Sequence, residues 1–516
     1  MRLHRVALST LAILAGACVT IFRGVKVDSV APGTGTVVGT RSRAHLLDGS
    51  TVVFPSGFRV EGSRVTANGA PATRYYLRLD QGEAVAGVPL DSIAGMESYT
   101  GTTNASASLL VSLLGTGAVA FGGALLAAAI FGSCPTMYAD SAGTLALEAE
   151  GFSYSIAPVF ESRDVDRLRT QPGPDGIVRL EVRNEALETH FINQLELLEV
   201  RHQPGEAVAP DPSGRPLALT ELRPVTSIVD RSGVDQTRIL SAADERATRS
   251  GAALLAAGAD SSLSDYLEFD LPVPPGADSV ALYLRARNSL LTTVLFYDVM
   301  LAGQGAGAVA WVGDGLNEIE SLIALGRWAT TELGIHVRVL ETSGWREVGR
   351  IADPGPIAWK DLAILIPANA QPIRRVRLEY LVDNWRIDRV AAAAVWRRAG
   401  ATPVSAARVI GRDDKPDPGA RDAVERPDQR YLETGPGDRF VLEFPLGPLR
   451  PGEARTLLLV AQGYYTEWIR GSWMARPATA SRFEPGRAAL LEATRRWARD
   501  QHALEQRFYS TRIPVR

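Results

Sequence analysis

A mainly β architecture is predicted from three observations. Short segments of alternating apolar residues recur along the chain, turn residues punctuate them, and helical periodicity is confined to a few stretches. The 516 residues are 46% hydrophobic and 22% charged, the composition of folded protein with room for several cores. The expected order is a small N-terminal β-barrel-like domain, a transmembrane or buried Gly/Ala-rich helix, a jelly-roll-like β-sandwich region with a few helices, and a C-terminal helix.

The chain opens with the basic Met1-Arg2-Leu3-His4-Arg5, then apolar Val6 to Ile13, then the small residues Ala15-Gly16-Ala17 before Cys18. That is the pattern of an export signal. It is similar to the bacterial lipoprotein signal, which makes Cys18 the candidate for lipidation, although Ala15 stands where that signal usually has Leu. An uncleaved signal anchor running to Phe22 is the other reading. Residues 1–24 are therefore assigned to a signal or anchor.

Residues 25–104 carry strand patterns at Gly35 to Thr40, Ala44 to Leu47, Thr51 to Phe54, Phe58 to Val60, Arg64 to Thr66 and Tyr75 to Leu79, with a closing strand near Gly87 to Ile93. Turn signals such as Asp48-Gly49 separate them, which predicts a small antiparallel barrel. Gly33, Gly35 and Gly39 miss the dinucleotide-binding spacing and are read as turn glycines.

Between Glu97 and Asp140 there is no charged residue, and Leu109 to Phe131 is long enough to cross a bilayer core as a helix. Residues 105–134 are the candidate transmembrane helix, with a buried core helix as the alternative. Ala118, Gly122, Gly123 and Ala127 would allow a second helix to approach closely, which leaves oligomerisation through this helix open.

Residues 135–334 show strand alternation at Ile177 to Val182, Gln194 to Arg201, Tyr266 to Leu271 and Ser279 to Arg287. Helical spacing follows at Asn288 to Leu301 and Leu316 to Leu333. The Gly303-Gln304-Gly305-Ala306-Gly307 loop between them lacks the Lys-Ser/Thr of a phosphate-binding loop. Residues 335–480 are predicted as a jelly-roll-like sandwich similar to galactose-binding-like modules. Trp345, Trp359 and Trp385 are its binding candidates as a sugar-stacking face, against the alternative that they fill the core. Gly411 to Gln429 reads as a long solvated loop. In 481–516 an amphipathic helix from about Ala488 to Phe508, with Leu490, Leu491, Trp497, Leu504 and Phe508 apolar, is expected to dock on the sandwich.

The segment Ser133-Cys134-Pro135-Thr136-Met137-Tyr138, with Glu148-Ala149-Glu150, Arg163 to Leu168, Asn184-Glu185, Asn384-Trp385-Arg386-Ile387-Asp388 and Arg455 to Leu459, resembles an uncharacterised family of bacterial envelope proteins. In that family a CPxxY segment follows an apolar helix. The resemblance implies architecture and location, and it transfers no catalytic residue.

Composition narrows the chemistry. A net charge of -3 gives no field for nucleic acid, and of the 55 basic residues only Lys26, Lys360 and Lys415 are lysines. The six histidines are scattered, the two cysteines form no metal pair, and no GxSxG elbow occurs, so no metal, cofactor or catalytic residue is assigned. The acid pairs Asp164/Asp166, Asp413/Asp414 and Glu318/Glu320 read as solvated faces, and Asp230 to Asp235 as turn chemistry, not a calcium loop. The expected function is a membrane-tethered cell-envelope binding or assembly protein whose partners are the membrane and an envelope protein or glycan. The alternative is an envelope enzyme acting on glycans with acids assembled from distant strands.

Overall fold

The computed structural model describes residues 23–30, 32–46, 50–75, 83–103, 134–141, 144–156, 160–257, 263–308, 311, 319–352, 354–369, 371–428, 430–468, 486–510, 512 and 515. The chain is mainly β, as its alternation predicts. Cys18 and the apolar run Leu109 to Phe131 lie outside the described residues. Among the described helices none is long and apolar enough to cross a membrane.

The N-terminal unit is two sheets. Six strands run in the order Arg23–Val30, Ile93–Thr103, Ser42–Leu46, Thr51–Phe54, Ala72–Tyr75, Glu83–Val85, and four in the order Val37–Val38, Phe58–Glu61, Arg64–Ala67, Gly87–Pro89. Phe54, Phe58, Val60, Val65 and Met96 fill the core they share. The expected barrel is not found: strand Arg23–Val30 ends one edge of the larger sheet and Glu83–Val85 the other, so the described strands do not close on themselves. Gly57 is needed where it stands, at φ +83°, since a Cβ there would come within 2.0 Å of the Val38 carbonyl oxygen.

The rest of the β structure is nested. An outer sandwich has one sheet ordered Thr144–Glu150, Thr136–Ser141, Ile177–Arg183, Arg439–Pro445, Arg408–Ile410. Its other sheet is Ser162–Leu168, Ala454–Glu467, Glu188–His202, Thr402–Ser405. Val178, Leu180 and Leu442 of the first sheet and Leu195, Leu197 and Leu459 of the second lie in one core. The spine is the pairing of Glu188–His202 with Ala454–Glu467, in register from Glu188↔Glu467 to His202↔Ala454 with a bulge between Ile192 and Gln194.

An inner sandwich, residues 223–393, is inserted between strands Glu188–His202 and Thr402–Ser405. Its sheets are Arg223–Pro224, Trp385–Ala393, Ser279–Asn288, Lys360–Pro367 and Val229–Asp230, Ser264–Pro272, Ile373–Leu381, Ile335–Glu341, Gly344–Ile351. Phe269, Leu282, Leu284, Val337, Leu378 and Ile387 pack between them. The expected division at 334/335 runs through these sheets, because Ser264–Pro272 pairs with Ile373–Leu381 and Ser279–Asn288 with Lys360–Pro367. The strands of 335–480 are thus shared between the two sandwiches and form no separate jelly roll.

A three-stranded ribbon, Ala207–Pro210, Pro216–Thr220 and Val395–Arg398, carries the chain into and out of the inner sandwich. Strand alternation gives it two apolar faces. Val208 and Ala218 pack with Val165, Val200, Leu458 and Val460 of the outer sandwich, while Ala209, Leu217 and Leu219 pack with Ala281, Tyr283 and Ala391 of the inner one.

Helices close one side of the outer core. The predicted helix after Asn288 is Leu291–Val294 continued by the π-helical Leu295–Leu301, and the next is Ile319–Glu332. The C-terminal helix Arg487–Ser510 docks as expected, with Leu490, Ala493 and Trp497 buried in the outer core. The expected loop at 411–429 contains the helix Pro418–Val424, whose Asp417 Oδ1 accepts from Ala420 N at 2.9 Å with proline opening the first turn.

Candidate functional site

The densest ionic chemistry lies in the seam where the two sandwiches meet. Asp164 and Asp166 sit two apart on strand Ser162–Leu168, so they share a face. Between them stands Lys360, the first residue of strand Lys360–Pro367, in direct contact with Asp164 Oδ2 and 3.1 Å from Asp166 Oδ1. All three side chains are nearly or fully withdrawn from solvent. Next in sequence, Asp361 accepts from Arg167 at 2.7 Å and lies 3.6 Å from Arg285, which pairs with Asp388 at 2.9 Å. Acid and base alternate across the seam.

Burial governs the protonation. Desolvation, with the charge of Asp164 adding to it, pushes the Asp166 carboxyl up to about 8 against the pull of Lys360. Burial alone would disfavour the charged amine of Lys360, but Asp164 and Asp166 hold it well above the usual lysine range. Nearby, Glu150 Oε2 accepts from the backbone of Ile357 at 2.8 Å and Ala358 at 3.0 Å, fastening the loop before Lys360 to the outer sandwich. Cys134 donates its thiol proton to Glu150 Oε1 at 3.3 Å, and burial raises both groups above their ordinary values.

A second cluster is assembled from strands far apart in sequence. Glu188 and Glu467 are register partners on the outer spine, and the Tyr297 hydroxyl, presented by the π-helical turn, donates to Glu467 and lies 3.4 Å from Glu188 Oε1. His190 Nε2 lies 3.1 Å from Glu188 Oε2, and burial lowers the imidazole to about 3, so it is neutral. This acid pair is buried, Glu188 at 0% and Glu467 at 3% exposure.

A third cluster joins the N-terminal unit to the outer sandwich. Arg43 lies between the rings of Tyr99, 4.6 Å away, and Trp468, 5.1 Å away, with its Nε 3.1 Å from Glu97 and an Nη donating to Thr466 at 3.2 Å. Burial lowers Arg43 to about 10; against burial, Arg43 and His45 hold Glu97 below the usual carboxylate range.

The candidate tryptophans are not brought together. Trp385 is core, 1% exposed, its indole N–H donating to the Leu333 carbonyl at 3.0 Å. Trp345 is half-buried beneath Arg377, whose guanidinium lies 4.2 Å from its ring. Trp359 is half-buried beneath Arg287 at 4.9 Å and Arg285 at 5.9 Å. An arginine thus lies over each of these two rings. Of the sequence-identified acid pairs, Asp164/Asp166 reach the seam, Asp413 is exposed and pairs with Lys415 at 3.3 Å, and Glu318 lies outside the described residues. Asp230 accepts from Ser232 and Val234 backbone within its own turn. Among the described residues no three His, Cys, Asp or Glu side chains converge to hold a metal ion.

One surface cleft, of about 360 Å³, is lined by Arg412, Asp417, Tyr431, Glu433 and Phe440. Its polar groups are engaged with one another's neighbours: Arg412 pairs with Asp438 at 2.9 Å, and the Tyr431 hydroxyl donates to Glu161 at 2.8 Å.

Sequence reasoning named Asp164 and Asp166 but read them as a solvated face, and it missed the glutamate pair. The available signal for the seam was Lys360, one of three lysines in an arginine-rich chain.

No family model matches the chain, and no curated protein matches it. Among solved structures, a cycloalternan-forming enzyme from Listeria monocytogenes in complex with a pentasaccharide substrate is 11% identical, with a TM-score of 0.16 over 71% of this chain and 29% of that one. A GH31 alpha-xylosidase from Xanthomonas citri is 8% identical, with a TM-score of 0.16 over 85% of this chain and 38% of that one. The chain therefore spans well under half the length of either, and likeness at this score carries no argument about fold or activity.

Proposed function

We propose that this chain is a membrane-tethered binding or assembly protein of the bacterial cell envelope. The observation that carries the reading is how its buried charges are used. Lys360 with Asp164 and Asp166, Arg167 with Asp361, and Arg43 with Thr466 and Trp468 each reach from one β unit to the next. Such groups fix one unit against the next and are closed to a substrate, which suits a rigid body that presents surface to a partner. The basic and apolar start of the chain, the run at Leu109 to Phe131 and Cys18 support attachment to a membrane. The glycan-enzyme alternative needs two carboxyls open to a sugar, and one pair assembled from distant strands, Glu188 and Glu467, is enclosed.

The test is membrane fractionation with protease treatment of spheroplasts carrying a C-terminally tagged chain. Sedimentation with membranes and digestion of the tag is the expected result, and it directs the search to envelope proteins and glycans. A chain recovered wholly in the soluble cytoplasmic fraction overturns the proposal.

A further inference from the structure

We infer that Lys360 and Asp164 form an intramolecular amide cross-link, with Asp166 as the proton-transferring acid, so that the seam between the two sandwiches closes covalently. Three observations carry this. The Lys360 amine and an Asp164 carboxylate oxygen are in direct contact in the folded chain, although 196 positions separate them in sequence. Asp166 reaches the same amine at 3.1 Å, and both its oxygens are sealed from solvent. The third concerns residue type: the other seam cations, Arg167 and Arg285, are arginines, the usual choice for buried ion pairs and the strong bias of this chain. A lysine at this one position supplies what a guanidinium does not, a primary amine that becomes a nucleophile once it gives up a proton.

The step balances without a co-reactant. The ion pair holds the Lys360 amine charged, so the reaction begins with an uphill transfer of one proton to Asp164 across their contact, which leaves a neutral amine and a neutral carboxyl. The Nζ lone pair adds to Asp164 Cγ and forms the C–N bond. Asp166, which burial keeps protonated at neutral pH, gives its proton to the departing Asp164 oxygen and takes one from Nζ. The C–O bond breaks, one water leaves, and Asp166 ends as it began. Side-chain exposure of 13% at Asp164, against 4% at Asp166, gives the water a way out. Holding the Lys360 amine against the Asp164 carboxylate in the folded state lowers the cost of bringing the two groups together.

The full-length chain, purified from the membrane or soluble fraction in which it is found, is denatured and its intact mass compared with that of Lys360→Arg and Asp166→Asn variants prepared in the same way. The wild type is expected to be lighter by one water than its residues require, both variants to keep that water, and digestion of the wild type to yield one branched peptide joining Asp164 to Lys360. Circular dichroism identifies folded variants, and the wild-type branched peptide decides the matter should either variant not fold. A folded wild type at full mass, with Lys360 free to be acetylated after denaturation, overturns the inference. So does a mass loss that persists in Lys360→Arg.

Discussion

Asp383 gathers donors from three parts of the chain. Its carboxylate accepts twice from Arg386, at 2.8 and 3.1 Å, from the indole N–H of Trp497 at 2.6 Å, and from the Ser250 backbone at 3.1 Å, all while its own backbone sits at φ +55°. Asp383→Ala is expected to cost about 3–5 kcal/mol, because Arg386 is left charged and buried; urea unfolding measures it, with loosening of the C-terminal helix seen as faster proteolysis there. His190 gives a pH dependence. Its folded value of about 3 lies below the unfolded 6.5, so the unfolded chain binds the extra proton. The stability it confers is complete above pH 6.5 and is lost as pH falls towards 3, with a slope of at most about 1.4 kcal/mol per pH unit. Asp438, whose carboxyl burial raises, and Glu188 also face it, so the comparison is with His190→Gln, whose stability curve should be flatter between pH 6 and 4. The three tryptophans show the limit of reading at this scale. Aromatic residues at strand spacing were legible, but whether a ring meets core, solvent or an arginine depends on strands such as Ile373–Leu381, which supplies Arg377 to Trp345 from elsewhere in the chain.

Elements with a local period were the legible ones. The predicted strands Ile177 to Val182 and Ser279 to Arg287 and the C-terminal helix stand close to where alternation and helical spacing put them, because one buried face imposes its period directly on sequence. The helix Pro418–Val424 was missed inside a polar stretch, where charge density masked the Asp417-Pro418 start signal. Asp417→Ala is expected to cost about 1 kcal/mol, through loss of the hydrogen bond to Ala420. The ribbon makes a sharper forecast. Leu219 is fully buried on the face turned to the inner sandwich, and Leu219→Ala should lower unfolding free energy by about 2–5 kcal/mol. Chemical denaturation gives the value, and cleavage near Pro216–Thr220 by a dilute protease should rise before either sandwich is attacked.

At the scale of the whole molecule, nesting was not legible. Pairings such as Glu188↔Glu467 leave no trace in any window of sequence, and a reading that moves along the chain divides it at helices and loops. The junction of the N-terminal unit is testable at this scale. Arg43→Ala leaves Glu97 buried without its arginine and removes the cation between Tyr99 and Trp468, so a loss of about 3–5 kcal/mol is expected. Proteolysis should then release residues 23–103 from an otherwise intact remainder. The inserted sandwich carries a further consequence, one of timing. A chain that emerges from its N-terminus exposes strand Glu188–His202 long before Ala454–Glu467 exists to pair with it, whereas residues 223–393 have all their partners as soon as they appear. The inner unit can fold first, and the outer strands must wait with open edges through the synthesis of some 250 residues, which at about 5–20 residues per second is tens of seconds. For that interval half of the outer sandwich is a client in need of protection, and its completion by the final strands is the event that ends the need.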